Sequence, residues 1–186
     1  MNRLITLLLL PLLLPIAVVA RENNPYIDPD TTPDLPYVDK SKPWQEVQVT
    51  PPPYPQDGDL VELNVDAADT PFRYLLDLEH LSLGADRVTR YTMVVESRTG
   101  ARNVLFEGIR CDTKAYVTYA YGTPDRQFRP AQDRSWHAIT RGGGAGGYRD
   151  DLLSYYLCDR NHNPFSVRKV EQRVRYPAQA INPVNQ

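Results

Sequence analysis

The chain has 186 residues, and its 21 Lys and Arg against 23 Asp and Glu give a formal net charge of −2 at neutral pH. Acidic and basic side chains are interspersed, so the sequence lacks the basic stripe that binds nucleic acid or an anionic membrane surface. This length fits one domain of ordinary size better than two. We therefore expect a single hydrophobic core and no nucleic-acid partner.

The first twenty residues have the pattern of a cleavable signal peptide. Arg3 supplies a positive charge, and residues 4–19 are almost all apolar. The alternative is a retained membrane anchor, which is disfavoured because the apolar run is short and contains two prolines. We expect cleavage between Ala20 and Arg21, with no lipid-modified cysteine at that site. The mature chain is then exported and has no membrane span.

Residues 21–57 form a proline-rich segment, in which about a quarter of the positions are proline. Proline fixes its own φ, lacks an amide donor and favours an extended conformation in the residue before it. The segment is therefore predicted to be an extended arm, which Trp44 and Val47 hold against the domain. The alternative is that the Pro-Pro-Pro-Tyr-Pro stretch at 51–55 binds a proline-recognition module, although such modules mostly recognise intracellular segments.

A single globular domain is predicted at residues 58–160. Alternating or continuous apolar patterns indicate strands at residues 59–65, 72–78, 90–97, 101–111 and 115–121. Ser97, Arg98, Thr99 and Gly100 are typical of a hairpin turn whose last residue is left-handed. Consecutive strands joined by short turns predict an antiparallel meander of about five strands.

The second half of the domain is predicted to contribute one helix. The apolar residues of 150–158 favour a short helix, with Asp150 and Asp151 in its first turn, where the helix dipole favours anions. The fold class is therefore α+β, a meander sheet with one C-terminal helix behind a proline-rich arm. Residues 161–186 are polar and contain prolines, and we expect them to form a poorly ordered tail.

The chain contains two cysteines, Cys111 and Cys158. In an oxidising compartment an even pair has one connectivity, so a structural disulfide is predicted. It would join the end of the fourth predicted strand to the end of the predicted helix. A redox or nucleophilic cysteine is the weaker alternative, because the sequence has no C-x-x-C motif.

Motifs that would hold a cofactor or a metal are weak in this sequence. The glycine tract at 142–147 matches G-x-G-x-x-G, but the residues before it do not resemble a buried parallel strand, so a flexible loop is favoured over dinucleotide binding. His80, His137 and His162 lack the spacing of a zinc site. No cofactor and no metal site is predicted.

Catalytic motifs are equally weak. Asp150 and Asp151 could hold a cation or act as acid and base, yet adjacent carboxylates at a helix start ordinarily complement the dipole. No G-x-S-x-G elbow is present, so a serine hydrolase has no local support in the sequence. A catalytic triad assembled from distant residues is the alternative that sequence motifs do not test. No catalytic residue is assigned.

The stretch RYTMVVESRTGARNVLFEGIRC, at residues 90–111, resembles the cryptic neisserial protein-like family of exported bacterial proteins. LEHLSLGADRVT precedes it, and YAYG at 119–122 and Trp136 follow, so the resemblance spans roughly residues 44–158. It implies a periplasmic protein of a Gram-negative bacterium. The family carries no assigned activity, so the resemblance transfers no catalytic or binding residue.

Two functional hypotheses remain. The first is a non-catalytic binding or envelope-associated domain, whose partner is another envelope protein. The alternative is a small periplasmic enzyme or ligand carrier that uses Arg90, Glu107 and Arg110 as a polar surface on the sheet. The ordinary interpretation of these three charges is solvated cross-strand pairs.

Overall fold

A computed structural model describes residues 42–66, 70–141 and 146–177 of the chain. These residues contain one antiparallel sheet, ordered β1-β2-β3-β4-β5-β6, and β7 also pairs with β5. The strands are β1 Leu60–Glu62, β2 Phe72–Leu83, β3 Val88–Ser97, β4 Arg102–Arg110, β5 Ala115–Gly122, β6 Phe128–Pro130 and β7 His137–Ala138. The predicted antiparallel α+β class is confirmed, with seven strands among the described residues instead of about five.

The predicted hairpin between the third and fourth strands is present. β3 pairs with β4 in unbroken register from Val88 opposite Arg110 to Glu96 opposite Arg102. Gly100 closes the turn with a φ of 82°, a left-handed conformation that glycine adopts without steric cost. The turn chemistry therefore fixes the register of the two central strands.

Strand β2 contains an irregularity that the sequence pattern does not show. Its register with β3 shifts between Asp77 and Ser82, so several residues of β2 bulge out of the ladder. The buried carboxylate of Asp77 accepts hydrogen bonds from the backbone amides of Glu79 and His80, at 3.0 and 3.3 Å. It also lies 2.9 Å from Nδ1 of His80. These bonds satisfy polar groups that the bulge removes from the sheet.

One face of the sheet, here called the core face, is covered by helical segments. They are α1 Tyr148–Asp151, a π-helical segment Leu152–Leu157 that continues it, and α2 Val167–Arg175. The main core holds apolar side chains from the strands and the helices, among them Tyr74, Leu76, Tyr91, Met93, Ile109, Leu152, Tyr156, Leu157, Val170 and Val174. The predicted helix is thus present, and Asp150 and Asp151 lie in its first turn.

The predicted disulfide joins Cys111 to Cys158, with the Cα atoms 5.6 Å apart. It connects the end of β4 to the residue that ends the π-helical segment. Both cysteines belong to the main core. The bridge therefore holds this helical segment against the core face.

Helix α2 lies in the segment for which the sequence analysis expects a poorly ordered tail. Ser166 caps its first turn by accepting from the amide of Lys169 at 3.3 Å. Val170 and Val174 are buried in the main core. Residues 167–175 are therefore an integral part of the domain, and the expectation of disorder does not describe them.

Several predictions concern residues outside the described ranges. These are the signal peptide and its cleavage site at Ala20 and Arg21, the first part of the arm, most of the glycine tract and residues 178–186. Within the described ranges, no helix is both long and apolar enough to cross a membrane.

The other face of the sheet, here called the arm face, is covered by the chain that precedes β1. The described part of the arm is residues 42–57, which approach two smaller apolar clusters. Val49 packs on the cluster of Phe106, Val117, Tyr119 and Ala120, whereas Tyr54 packs on that of Leu75, Val94 and Val104. Both faces of the central strands are therefore covered.

Candidate functional site

The three charged residues predicted to share a polar surface lie on opposite faces of the sheet. Glu107 pairs across the strands with Tyr91, whose side chain belongs to the main core. Arg90 and Arg110 contact residues of the arm instead. The single polar surface of Arg90, Glu107 and Arg110 therefore does not form, because strand alternation separates position 107 from positions 90 and 110. The structure distributes the charges over two networks.

The first network surrounds the carboxylate of Glu107, which is fully buried. Its Oε2 accepts from the hydroxyls of Tyr91 and Tyr148, at 3.0 and 2.7 Å, and from Nε of Arg149 at 3.1 Å. Its Oε1 accepts from the hydroxyl of Thr118 at 2.8 Å and from Nη2 of Arg149. Five donors from three elements thus saturate one carboxylate.

The protonation states in this network follow from burial. Burial and the Glu107 carboxylate hold the pKa values of Tyr91 and Tyr148 well above their ordinary value. Burial alone would lower the pKa of Arg149, but the interactions with Tyr148 and Glu107 outweigh it and raise that pKa. The tyrosines are therefore neutral donors and Arg149 is a cation. The cluster is a charge-compensated support that fixes the guanidinium.

A small cavity lies beside Arg149, between the chain that follows β7 and the start of α1. Its volume is about 210 Å³, and its walls include Tyr116, Ile139, Thr140, Gly146, Gly147 and Arg149. The guanidinium carbon lies 4.2 Å from the centroid of the Tyr116 ring, so the arginine is stacked as well as hydrogen-bonded. This cavity can admit a molecule of modest size next to a fixed positive charge.

The second network joins the arm to the turn before β3. Asp86 accepts from both terminal nitrogens of Arg90, and its Oδ2 also accepts from the amide of Val47 at 2.9 Å. Trp44 donates from Nε1 to the carbonyl oxygen of Asp86 at 2.9 Å. Gly84 is required beside this pair, since a Cβ at that position would overlap Oδ1 of Asp86. Trp44 and Val47 thus hold the arm, as predicted.

Opposing effects set the pKa of Asp86. Burial alone would raise it, but the hydrogen bonds from Arg90 and from the Val47 amide lower it below the ordinary value. For Arg90, burial alone would lower the pKa, and the contacts with Asp86 and Tyr119 raise it. Both groups are therefore charged at neutral pH and form a buried bidentate ion pair.

A second acidic residue, Glu46, extends this network towards the segment before β7. It accepts from the hydroxyl of Tyr119 and, at 3.3 Å, from Nε1 of Trp136. Its Oε1 lies 3.8 Å from Nη2 of Arg90. The arm thereby connects β3, β5 and the segment before β7 through a single carboxylate.

Two residues of this network, Trp44 and Val47, also belong to a partly exposed patch of the arm face. We call this patch the aromatic surface, and it consists of Trp44, Val47, Arg110 and Trp136. The rings of Trp44 and Trp136 meet edge to face, with centroids 5.8 Å apart. The guanidinium carbon of Arg110 lies 3.8 Å from the Trp44 centroid, and Asp112 pairs with the same guanidinium at 2.8 Å. Trp44 remains 37% exposed and Val47 45% exposed. Its two tryptophans and its arginine are residue types that are enriched at protein interfaces.

The remaining candidates from the sequence do not converge. His80 contacts Asp77, and His137 lies 3.2 Å from the exposed carboxylate of Asp133. The described part of the chain contains no group of three potential metal ligands. Asp150 pairs with Arg141 at 3.5 Å, while Asp151 accepts from the amide of Asp66 at 3.1 Å. The two carboxylates therefore have separate partners and do not form a shared site.

Sequence reasoning missed three residues that organise these networks, namely Asp86, Tyr148 and Arg149. Asp86 had a local signal, because Gly84-Ala85-Asp86 is a turn sequence that precedes a strand. Arg149 follows the glycine tract, and its contact with Glu107 spans 42 positions. No local pattern indicates such a contact.

The model of the CNP1-like family matches residues 39–175. The match contains both networks, the aromatic surface and helix α2, and extends beyond the range of roughly 44–158 over which the sequence shows the resemblance. No curated protein and no solved structure is significantly similar to the chain. The match covers most of the 186 residues, and the chain belongs to the CNP1-like family.

Proposed function

We propose that this chain is a non-catalytic binding protein of the bacterial periplasm, and that it docks on another envelope protein through the aromatic surface. The observation that carries the proposal is the pair Trp44 and Trp136, held edge to face with Arg110 stacked against Trp44. Tryptophan and arginine contribute most of the binding energy at many interfaces.

The arm network supports this proposal because it makes the aromatic surface rigid. Trp44 donates to the Asp86 carbonyl, and Trp136 donates to Glu46. The two tryptophan side chains are thus held in place before any partner binds, which reduces the conformational-entropy cost of binding. Two exposed residues of the surface, Trp44 and Val47, come from the arm itself.

Export is part of the same proposal. The leader at residues 1–20 supports it, and so does the Cys111–Cys158 bridge, since disulfides persist in oxidising compartments. Amino-terminal sequencing of the protein from a periplasmic fraction tests it. We expect a chain that begins at Arg21, whereas cytosolic protein that begins at Met1 would contradict export.

The second candidate function is that of a ligand carrier. The cavity beside Arg149 favours it, in place of the set of Arg90, Glu107 and Arg110 that the sequence suggests. Docking and ligand carriage use different surfaces and are tested separately.

Site-specific photo-crosslinking in intact cells tests the docking proposal. A photo-reactive residue replaces Val47, which lies in the aromatic surface, and Tyr176, which is 59% exposed, provides the matched control position. We expect one envelope protein to crosslink from position 47 and not from position 176. The same product should disappear when Trp136→Ala is added. Identical products from both positions, or a product unaffected by Trp136→Ala, would refute docking at this surface.

A further inference from the structure

We propose that the cavity beside Arg149 is a binding site for a small molecule that carries a carboxylate. This inference goes beyond the docking function, because none of the described residues that line the cavity belongs to the aromatic surface. It rests on the orientation of one guanidinium, the charge of the cavity wall and the space left by one glycine.

The Arg149 guanidinium is held in place before any ligand arrives. Its Nε and Nη2 donate to Glu107, and its plane packs near Tyr116 and Tyr148, with the guanidinium carbon 4.2 and 4.8 Å from their ring centroids. None of these hydrogen bonds uses Nη1, which therefore has two N–H donors to offer. A fixed guanidinium with donors to spare matches the geometry of a carboxylate.

The charge of the wall favours an anion over a cation. Among the described residues that line the cavity there is no Asp, Glu, Lys or His, and Arg149 supplies the positive charge. The carboxylate of Glu107 lies behind the guanidinium and is fully buried, so its oxygens do not face a ligand. All of its hydrogen-bonding capacity is used by the five donors around it. A ligand therefore meets the positive side of the pair.

Gly146 leaves the approach to Arg149 open. A Cβ at this position would lie 2.8 Å from Nη1 of Arg149. Among the described glycines only Gly100 has a positive φ, so the conformation of Gly146 does not itself require glycine. The missing side chain therefore creates space at the donor atom, and alanine can test this without straining the backbone.

The dimensions and the remaining wall limit the size of the ligand. The volume of about 210 Å³ is below the roughly 300 to 1,000 Å³ of sites for drug-sized molecules. Ile139 supplies apolar surface, and Thr140 supplies a hydroxyl group. These features fit a carboxylic acid the size of an amino acid or of a single aromatic ring.

An NMR titration with sodium benzoate, with benzamide as its neutral analogue, tests this inference. At matched ionic strength we expect benzoate to shift the signals of the Gly146 and Gly147 amides and of the Arg149 Nε–H. Benzamide should bind at least tenfold more weakly. Equal binding of the two probes, or benzoate shifts confined to other regions, would overturn the proposal.

Two variants complete the test. Gly146→Ala should remain folded, as its thermal unfolding transition shows, and should weaken benzoate binding at least tenfold, because its Cβ obstructs Nη1 of Arg149. Gly58→Ala is the matched control, since a Cβ at that position meets nothing within 4 Å. Unchanged benzoate binding by folded Gly146→Ala would refute the site, whatever the outcome of crosslinking at the aromatic surface.

Discussion

Arg149 donates two hydrogen bonds to Glu107 across 42 positions of the sequence, one from Nε and one from Nη2. The first residue of the pair belongs to α1 and the second to β4. Because Tyr148 also donates to Glu107, at 2.7 Å, two consecutive helical residues bind one strand carboxylate. This contact fixes the start of α1 on the core face and orients the wall of the cavity.

We expect Glu107→Gln to lower the free energy of unfolding by about 3 to 5 kcal/mol, because it leaves Arg149 without its anionic partner in a largely buried position. Urea denaturation at pH 7 measures the change. Glu62→Gln is the matched control, since Glu62 pairs with Arg73 at 2.8 Å on the exposed surface. Its effect should be far smaller. If the two variants lose the same free energy of unfolding, the buried Glu107–Arg149 pair does not stabilise the fold more than the exposed Glu62–Arg73 pair does.

Gly108→Ala should destabilise the domain by about 1 to 3 kcal/mol through overpacking. A Cβ at this position would lie 2.8 Å from Cγ1 of Val88 and 2.9 Å from the ring and hydroxyl of Tyr119. Thermal unfolding compares this variant with Gly58→Ala, which meets no neighbouring atom. If both variants melt at the temperature of the unaltered protein, the close packing of β4 against Tyr119 is not as described.

The central strands could be predicted from sequence because their pattern is local. The turn at Ser97–Gly100 and the alternation of Tyr91, Met93 and Val95 fix both the hairpin and the face that enters the main core. The cysteine pair was likewise predictable by elimination. These features need no information from distant parts of the chain.

The sites could not be predicted in this way, because each depends on contacts between distant residues. From its local sequence, Arg90 is expected to be a solvated residue of a strand. In the structure it is covered by the arm, which lies some forty positions earlier in the chain. Helix α2 did have a local signal, since Val167, Val170 and Val174 follow a helical period after the capping Ser166. Its many charged residues masked that signal.

Removal of the disulfide should cost about 4 kcal/mol, because the bridge closes a loop with a sequence separation of 47 in the unfolded chain. Urea denaturation of the double variant Cys111→Ala, Cys158→Ala measures this loss. A reducing agent should lower the stability of the unaltered protein and leave the double variant unchanged. A reducing agent that destabilises both proteins equally would contradict the assignment of the loss to the bridge.

The attachment of the arm should depend on pH through Asp86, whose pKa is lower in the folded protein than the ordinary value of 3.8. The ionised carboxylate therefore contributes stability above pH 3.8, and this contribution is lost as the pH falls towards the folded-state pKa. Hydrogen exchange of the Val47 amide, which donates to Asp86, measures the attachment. We expect its protection to decrease in acid.

Asp86→Asn provides the comparison for this pH dependence. The amide has one acceptor oxygen in place of two, so Val47 should exchange faster than in the unaltered protein at pH 7. Acid should then change its exchange much less. Unaltered exchange of the Val47 amide in Asp86→Asn would show that the Asp86 carboxylate does not hold the arm.

Asp151→Asn should stabilise the protein at pH 7, the opposite of the effect at Asp86. Burial, together with the nearby carboxylates of Asp66 and Asp150, raises the pKa of Asp151 above 3.8. Its ionisation therefore lowers stability as the pH rises from 3.8 through the folded-state pKa, and the cost persists at neutral pH. Asparagine keeps an oxygen that can accept from the Asp66 amide, the bond that Asp151 makes at 3.1 Å. Urea denaturation between pH 3 and 7 should show a gain in the free energy of unfolding that grows with pH.

The matched control for this prediction is Asp150→Asn, where no gain in stability is expected because Asp150 pairs with Arg141. A loss of stability in Asp151→Asn at pH 7 would mean that the ionised carboxylate is favourable at this helix start.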